Sequence, residues 1–246
     1  MDDLIIIFLI GLIGSMVGSF VSGTVSMMTI SSLLAMGIPA HSALGIYRVG
    51  ILGFRIGGLK EYLKSGNVIK SLVLPLTILG VIGASIGSLL VINVSQELLE
   101  RIIAVVILIF IPLTLLNRNL GVVRQAVGKK RIAAGHVAYL AVSAWAGSFA
   151  IGTGIFATYI YFYLYGTTLL EARGTDKIPS GVLDIVVVTI FAFSGLIIWD
   201  IAVVFFIGMI IGTLLVTKHV INLGNKWLRV ISLFAIGLLS LRLLFF

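Results

Sequence analysis

"GSFVSGTVS", residues 18–26, interrupts an apolar run from Leu4 to Met36, and "GSFAIGTGI", residues 147–155, interrupts a second run from Ala133 to Tyr165. Each run holds 33 residues. At about 1.5 Å per residue, a helix of that length would extend roughly 50 Å in a hydrocarbon core of about 30 Å. Both runs are therefore expected to turn back where Gly, Ser and Thr cluster, the first into arms 4–17 and 24–36. The competing arrangement is a pair of long tilted helices, eight crossings and parallel repeats.

The surrounding composition fixes the class. Of 246 residues, 60% are apolar and 11% charged, and the mean hydropathy is +1.23; these values exclude a water-soluble domain and indicate an all-α polytopic membrane protein. The formal charge of +8 does not imply nucleic acid, because the cations lie between apolar runs and orient helices across a bilayer. "MDDL" at the start carries aspartates where a cleavable leader needs positive charge, so the first segment is expected to stay in the mature protein. The chain contains no cysteine, which excludes disulfides and thiolate metal sites.

Further apolar runs fall near 42–63, 68–92, 98–116, 170–195, 198–217 and 227–246, each suited to one crossing. Shifting the chain by 129 positions aligns 18–66 with 147–195 and matches Gly18, Ser19, Phe20, Gly23, Thr24, Thr29, Gly37, Ala43, Gly45, Ile56, Ser65 and Gly66 with identical residues. "IGASIGSLLV" (82–91) then matches "IGMIIGTLLV" (207–216) after a four-residue deletion. The chain thus reads as a repeat over 1–117, a basic linker over 118–132 and a second repeat over 133–246. Arg118, Arg124, Lys129, Lys130 and Arg131 place the linker in the cytoplasm. The basic loops at 60–70 and 218–229 follow it only if each broken run enters and leaves on one side. The expected plan is two inverted repeats, each a broken or re-entrant hairpin plus three transmembrane helices, with both termini outside a cell membrane.

A turn at membrane depth exposes backbone groups, which is tolerable where they are buried or line a polar cavity. Gly23 and Gly152 permit the turns. Helices starting at Thr24 and Thr153 would aim a positive dipole end at them, with Ser19, Thr24, Ser148 and Thr153 as hydroxyl donors, a place that favours an anion. For Gly83, Gly87, Gly208 and Gly212 close helix packing is the expected role. Charges within the spans come next. Arg48 and Arg55 share one helix face, as do Lys177 and Asp184, and the repeat maps Arg48 onto Lys177 and Arg55 onto Asp184. Arg48 and Lys177, with Tyr47 nearby, are expected to serve an anion between the turns, and Arg55 to pair with Asp184 across the pseudo-symmetry axis. The alternative is that both cations snorkel to the interfaces. Asp176, Asp184 and Glu171 are candidates for a coupling proton, against the reading of fixed ion-pair partners. Glu171 and Arg173, at the cytoplasmic rim, are the weakest site candidates. The tyrosines from Tyr159 to Tyr165 read as interfacial anchors, and the scattered His41, His136 and His219 do not suggest a metal site. No Ser/His/Asp set or paired-carboxylate motif suggests an enzyme, and no cofactor is expected.

The broken opening helix, the loops "GIPAHSALG" and "GTTLLEARGT", the charged second helix and the Gly-rich third together resemble the sulfite exporter TauE/SafE family, also called the toluene sulfonate uptake permease family. The resemblance covers nearly the whole chain. It implies a cytoplasmic-membrane transporter of small anions such as sulfite, sulfonates or sulfoacetate, coupled to an ion gradient. Many members have consecutive glycines in the first break, where this chain has "GSFVSGTVS". A threonine common after the outer loop is kept as Thr175 and replaced by Ile46 in the first half. The expected partners are a small anionic substrate, the lipid bilayer, a coupling proton or sodium ion and a second copy of the chain in a homodimer, with no nucleic acid. A proton or cation exchanger built on Asp176 and Asp184 is the competing function.

Overall fold

The computed structural model describes residues 2–21, 23–113 and 121–245, with side chains described for all of these except 2, 104, 106–113, 229 and 231–245. Ser22 in the first break and the linker residues 118–120, including Arg118, lie outside the described residues. In chain order the helices are α1 Asp2–Phe20, α2 Thr24–Ala35, α3 Ala40–Lys64, α4 Lys70–Val91, α5 Gln96–Leu113, α6 Lys129–Phe149, α7 Thr153–Tyr163, α8 Leu169–Phe193 and α9 Trp199–Phe245. Helix α9 has two legs, because Gly224 leaves helical geometry at φ 72°, ψ 171°. Among the described residues, four helical stretches are long and apolar enough to cross a membrane: Asp3–Phe20, Lys70–Val91, Lys129–Phe149 and Trp199–Leu228.

Both long apolar runs are broken where the small residues cluster. Gly23 (φ 85°) and Gly152 (φ 73°) adopt the left-handed conformation that glycine accepts without a steric cost. Helix α2 then folds back along α1: a Cβ placed on Gly18 would strike Val25, and one on Gly14 would strike Thr29. The second hairpin closes likewise, with Gly135 of α6 against Leu164 and Tyr165 just beyond α7. The arms are less equal than expected, since the 19 residues of α1 extend about 28 Å and the 12 of α2 about 18 Å.

The halves pack reciprocally. Helix α1 lies along α9 while α6 lies along α4, and α3 packs on α9 while α8 packs on α4. The glycines set these distances: Gly208 and Gly212 face the Phe8 and Leu12 carbonyls of α1, and Gly83 and Gly87 face the Leu140 and Ala144 carbonyls of α6. The repeat-equivalent helices α3 and α8 meet head to tail. Gly45, near the start of α3, abuts the Leu196 carbonyl beyond the end of α8, and Gly174, near the start of α8, abuts the Asn67 carbonyl beyond the end of α3.

Apolar stripes face outward along Leu74, Ile78, Ile82, Ile86 and Leu90 of α4 and Val203, Ile207, Ile211 and Leu215 of α9. This four-residue spacing puts each stripe on one helix face, where hydrocarbon can cover it. The main apolar core runs inside, through Leu33, Leu44, Ile46, Val187, Phe191 and Phe205. Helix α8 starts on a local signal: the Thr168 hydroxyl accepts the Glu171 N–H, and the Glu171 carboxylate accepts the Thr168 N–H at 2.9 Å.

Candidate functional site

The two breaks converge. A Cβ on Gly23 would come within 2.3 Å of Ile155 Cγ1, so the start of α2 packs on the first turn of α7. Neither helix has a side-chain cap, and of the first-turn amides the Thr24 N–H donates to the Val21 carbonyl at 3.5 Å and the Ile155 N–H to the Gly152 carbonyl at 3.0 Å. The four hydroxyls at the breaks bond backbone carbonyls: Ser19 to Ser15 at 2.8 Å, Thr24 to Val21 at 2.9 Å, Ser148 to Gly87 at 2.9 Å and Thr153 to Ala150 at 2.8 Å.

Helices α3 and α8 bring their charges together between the breaks. Arg48 Nη1 donates to Asp184 Oδ1 at 2.9 Å, Arg55 Nε to Asp184 Oδ2 at 3.3 Å, and Arg55 Nη1 to Asp176 Oδ2 at 3.1 Å. Asp176 also accepts from the Ser180 hydroxyl at 2.8 Å and the Tyr139 hydroxyl at 3.3 Å. Asp184 and Arg48 are buried, 1% and 3% exposed; such charges persist inside a protein only when paired. Lys177, also buried, donates to the Phe54 carbonyl at 2.7 Å, and its ammonium lies 4.2 Å from the centre of the Phe54 ring.

A cavity of about 90 Å³ opens beside this network, lined among others by Ser19, Gly23, Thr153, Tyr47, Arg55 and Lys177. Asp176 and Arg173 also reach it. A smaller cavity of about 30 Å³ touches Arg48, Arg55, Asp176, Asp184 and Thr153. Thr24, Ser148, Gly152 and Thr175 line neither.

Several contributors had little sequence signal. Arg173 donates to the Phe20 carbonyl at 2.9 Å and to the Ser19 carbonyl, capping the end of α1 from the other half. Its place near a helix start hid this reach. Phe54, Tyr62, Tyr139 and Ser180 carry no motif, whereas Thr158, another lining residue, is the repeat partner of Thr29. Tyr161 and Tyr165 are buried, in a cluster with Tyr139, Ile160 and Phe162, whereas Tyr163 is exposed. Glu171 completes the α8 cap and pairs with Arg124 at 3.5 Å. Among the described residues, no group of three or more His, Asp or Glu is placed to hold a metal ion.

The profile of the family described as sulfite exporter TauE/SafE matches residues 6–243. The chain belongs to this family. TauE/SafE relatives include a probable membrane transporter protein of Haemophilus influenzae, 23% identical over 93% of this chain and 89% of that one. A probable membrane transporter protein ORF9 of a Sinorhizobium species is 24% identical over 91% of this chain and 86% of its own. The probable membrane transporter protein YfcA of Escherichia coli K12 is 22% identical over 98% and 89%. No solved structure matches the chain. Within this TauE/SafE chain, Thr175 accepts the Ile69 N–H at 2.9 Å and so ties α8 to the loop before α4. Ile46, its counterpart, is fully buried among apolar neighbours.

Proposed function

We propose that this TauE/SafE membrane transporter carries a small anion, of the sulfite, sulfonate or sulfoacetate class, by alternating access, with the substrate held between two oppositely inserted repeats. One observation carries the reading: three cationic side chains, Arg55, Arg173 and Lys177, meet a single carboxylate, Asp176, in a cavity at the first turns of α2 and α7. Surplus positive charge at low dielectric, next to two helix N-termini, is compensated best by a bound anion. A cation or proton exchanger is less well supported, because both carboxylates already accept from guanidinium groups and an incoming cation would have to displace one. The basic linker marks the cytoplasmic face of the cell membrane, which puts both termini outside. A proton or sodium ion is the coupling species, and a homodimer is the assembly in this reading.

The test is uptake of radiolabelled sulfite, methanesulfonate and sulfoacetate into proteoliposomes. Lys177→Gln and Arg55→Gln should abolish uptake of the carried anion, while Lys64→Gln, at an exposed ion pair, should leave it unchanged. Uptake at the unmodified rate in both cavity variants would overturn the site, and no uptake of any of the three anions by the unmodified protein would overturn the substrate class.

A further inference from the structure

The cavity beside Lys177 has a counterpart at the repeat-equivalent positions, and it is much smaller: of that set, Arg48 and Leu183 touch only the cavity of about 30 Å³. The 129-residue offset carries the lining residues Phe54, Tyr62, Thr158, Arg173 and Lys177 onto Leu183, Phe191, Thr29, Leu44 and Arg48. All five counterparts are buried, and Leu44, Leu183 and Phe191 belong to the main apolar core. The two sets occupy opposite ends of the α3/α8 pair. The set at the larger cavity takes the second half of α3 and the first half of α8, the end where the Leu169 N–H bonds the Gly121 carbonyl of the linker. The counterpart set takes the first half of α3 and the second half of α8.

Arg48 has an unmet need in this arrangement. Its Nη1 is engaged by Asp184, but Nε and Nη2 are buried and have no hydrogen-bond partner among the described residues. Buried donors left unpaired are costly, about 1–3 kcal/mol each and more on a charged group. The free Nε and Nη2 form one edge of the guanidinium, with two parallel N–H groups at the spacing of two oxygens on a carboxylate, sulfite or sulfonate. Lys177, its repeat partner, is already placed at the larger cavity.

We propose that Arg48 is the oxyanion-binding residue of the opposite-facing state, gripping the substrate through its Nε/Nη2 edge in a cavity walled by Thr29, Leu44, Leu183 and Phe191. This rests on the carrier reading above. When the halves exchange roles, the apolar packing around Leu44 and Phe191 opens, the packing around Lys177 closes, and the same solute passes from one cation to the other. A point-charge ammonium serves the linker side and a fork-shaped guanidinium the far side, so the two faces differ in selectivity for oxyanions.

The cysteine-free chain permits a direct test with Thr158→Cys and Thr29→Cys, labelled by an impermeant cationic methanethiosulfonate in right-side-out and inverted vesicles without sulfite. Thr158→Cys should label from the linker face and Thr29→Cys from the opposite face, with modification of one protecting the other in the double variant. Arg48→Lys, which keeps the charge but loses the fork, should raise the half-saturating sulfite concentration on the far face about tenfold or more and leave the linker face unchanged. If Thr29→Cys stays unlabelled from both faces while the protein still transports, or if Arg48→Lys changes neither face, the role of Arg48 is refuted and the carrier reading stands. If both labels appear but no anion moves, the carrier reading falls and the Arg48 role falls with it.

Discussion

Replacing Asp184 with Asn removes one charge from the most enclosed part of the network. Both carboxylate oxygens are engaged, by Arg48 at 2.9 Å and Arg55 at 3.3 Å, and the side chain is only 2% exposed. Arg55 keeps Asp176 as a partner, but Arg48 keeps none, so the variant buries an uncompensated guanidinium. Breaking a buried pair in this way costs about 3–5 kcal/mol. For a chain of this size each kcal/mol corresponds to about 2–4 °C, so thermal unfolding in detergent, followed by tryptophan fluorescence, should shift down by roughly 6–20 °C. The double variant Arg48→Met/Asp184→Asn removes the orphaned charge as well and should recover more than half of the loss, a coupling that a double-mutant cycle isolates. A shift below roughly 2 °C for Asp184→Asn, or a double variant no more stable than the single one, would refute the view that Asp184 holds two buried guanidinium groups in place.

Three further outcomes are expected. Gly87→Ala would place a Cβ 1.9 Å from the Ala144 carbonyl oxygen, forcing α4 away from α6 at a cost of about 1–3 kcal/mol; Gly128→Ala, with open space around it, should leave the melting temperature unchanged in the same scan. Gly58→Ala would put a Cβ 2.6 Å from Lys177 Nζ; the flexible lysine can yield, so apparent affinity in sulfite uptake should fall with little change in melting temperature. Thr175→Val leaves the Ile69 N–H without its acceptor and should cost about 1–3 kcal/mol, whereas Thr175→Ser should be near neutral by the same measurement.

The breaks were legible because their causes are local. A run too long for its solvent must turn, and Gly23 and Gly152 sit where the backbone has to become left-handed. The close-packing glycines were legible for the same reason, since their repeat positions and spacing mark helix contacts. The ends of the arms were not: α1 runs to Phe20, with the Val21 N–H still bonded to the Val17 carbonyl at 3.0 Å and the Ser19 hydroxyl bonded back to the Ser15 carbonyl. The charged network was legible in part. Seven-residue spacing placed Arg48 and Arg55 on one face, but periodicity along one helix does not specify which side chains face it from another.

The sequence by itself determined a helical membrane chain whose two long apolar runs break at glycines, because chain length against bilayer thickness and glycine conformation act within short segments. Only the tertiary structure decided that Arg55 bridges two carboxylates, that Arg173 caps the first break, and that Lys177 lines the larger cavity while Arg48 touches only the smaller one. Those distinctions depend on the head-to-tail approach of α3 and α8 and on which end of that pair is packed. Two equivalent positions of a repeat, Arg48 and Lys177, are then equally buried and yet meet different partners, a carboxylate and a backbone carbonyl.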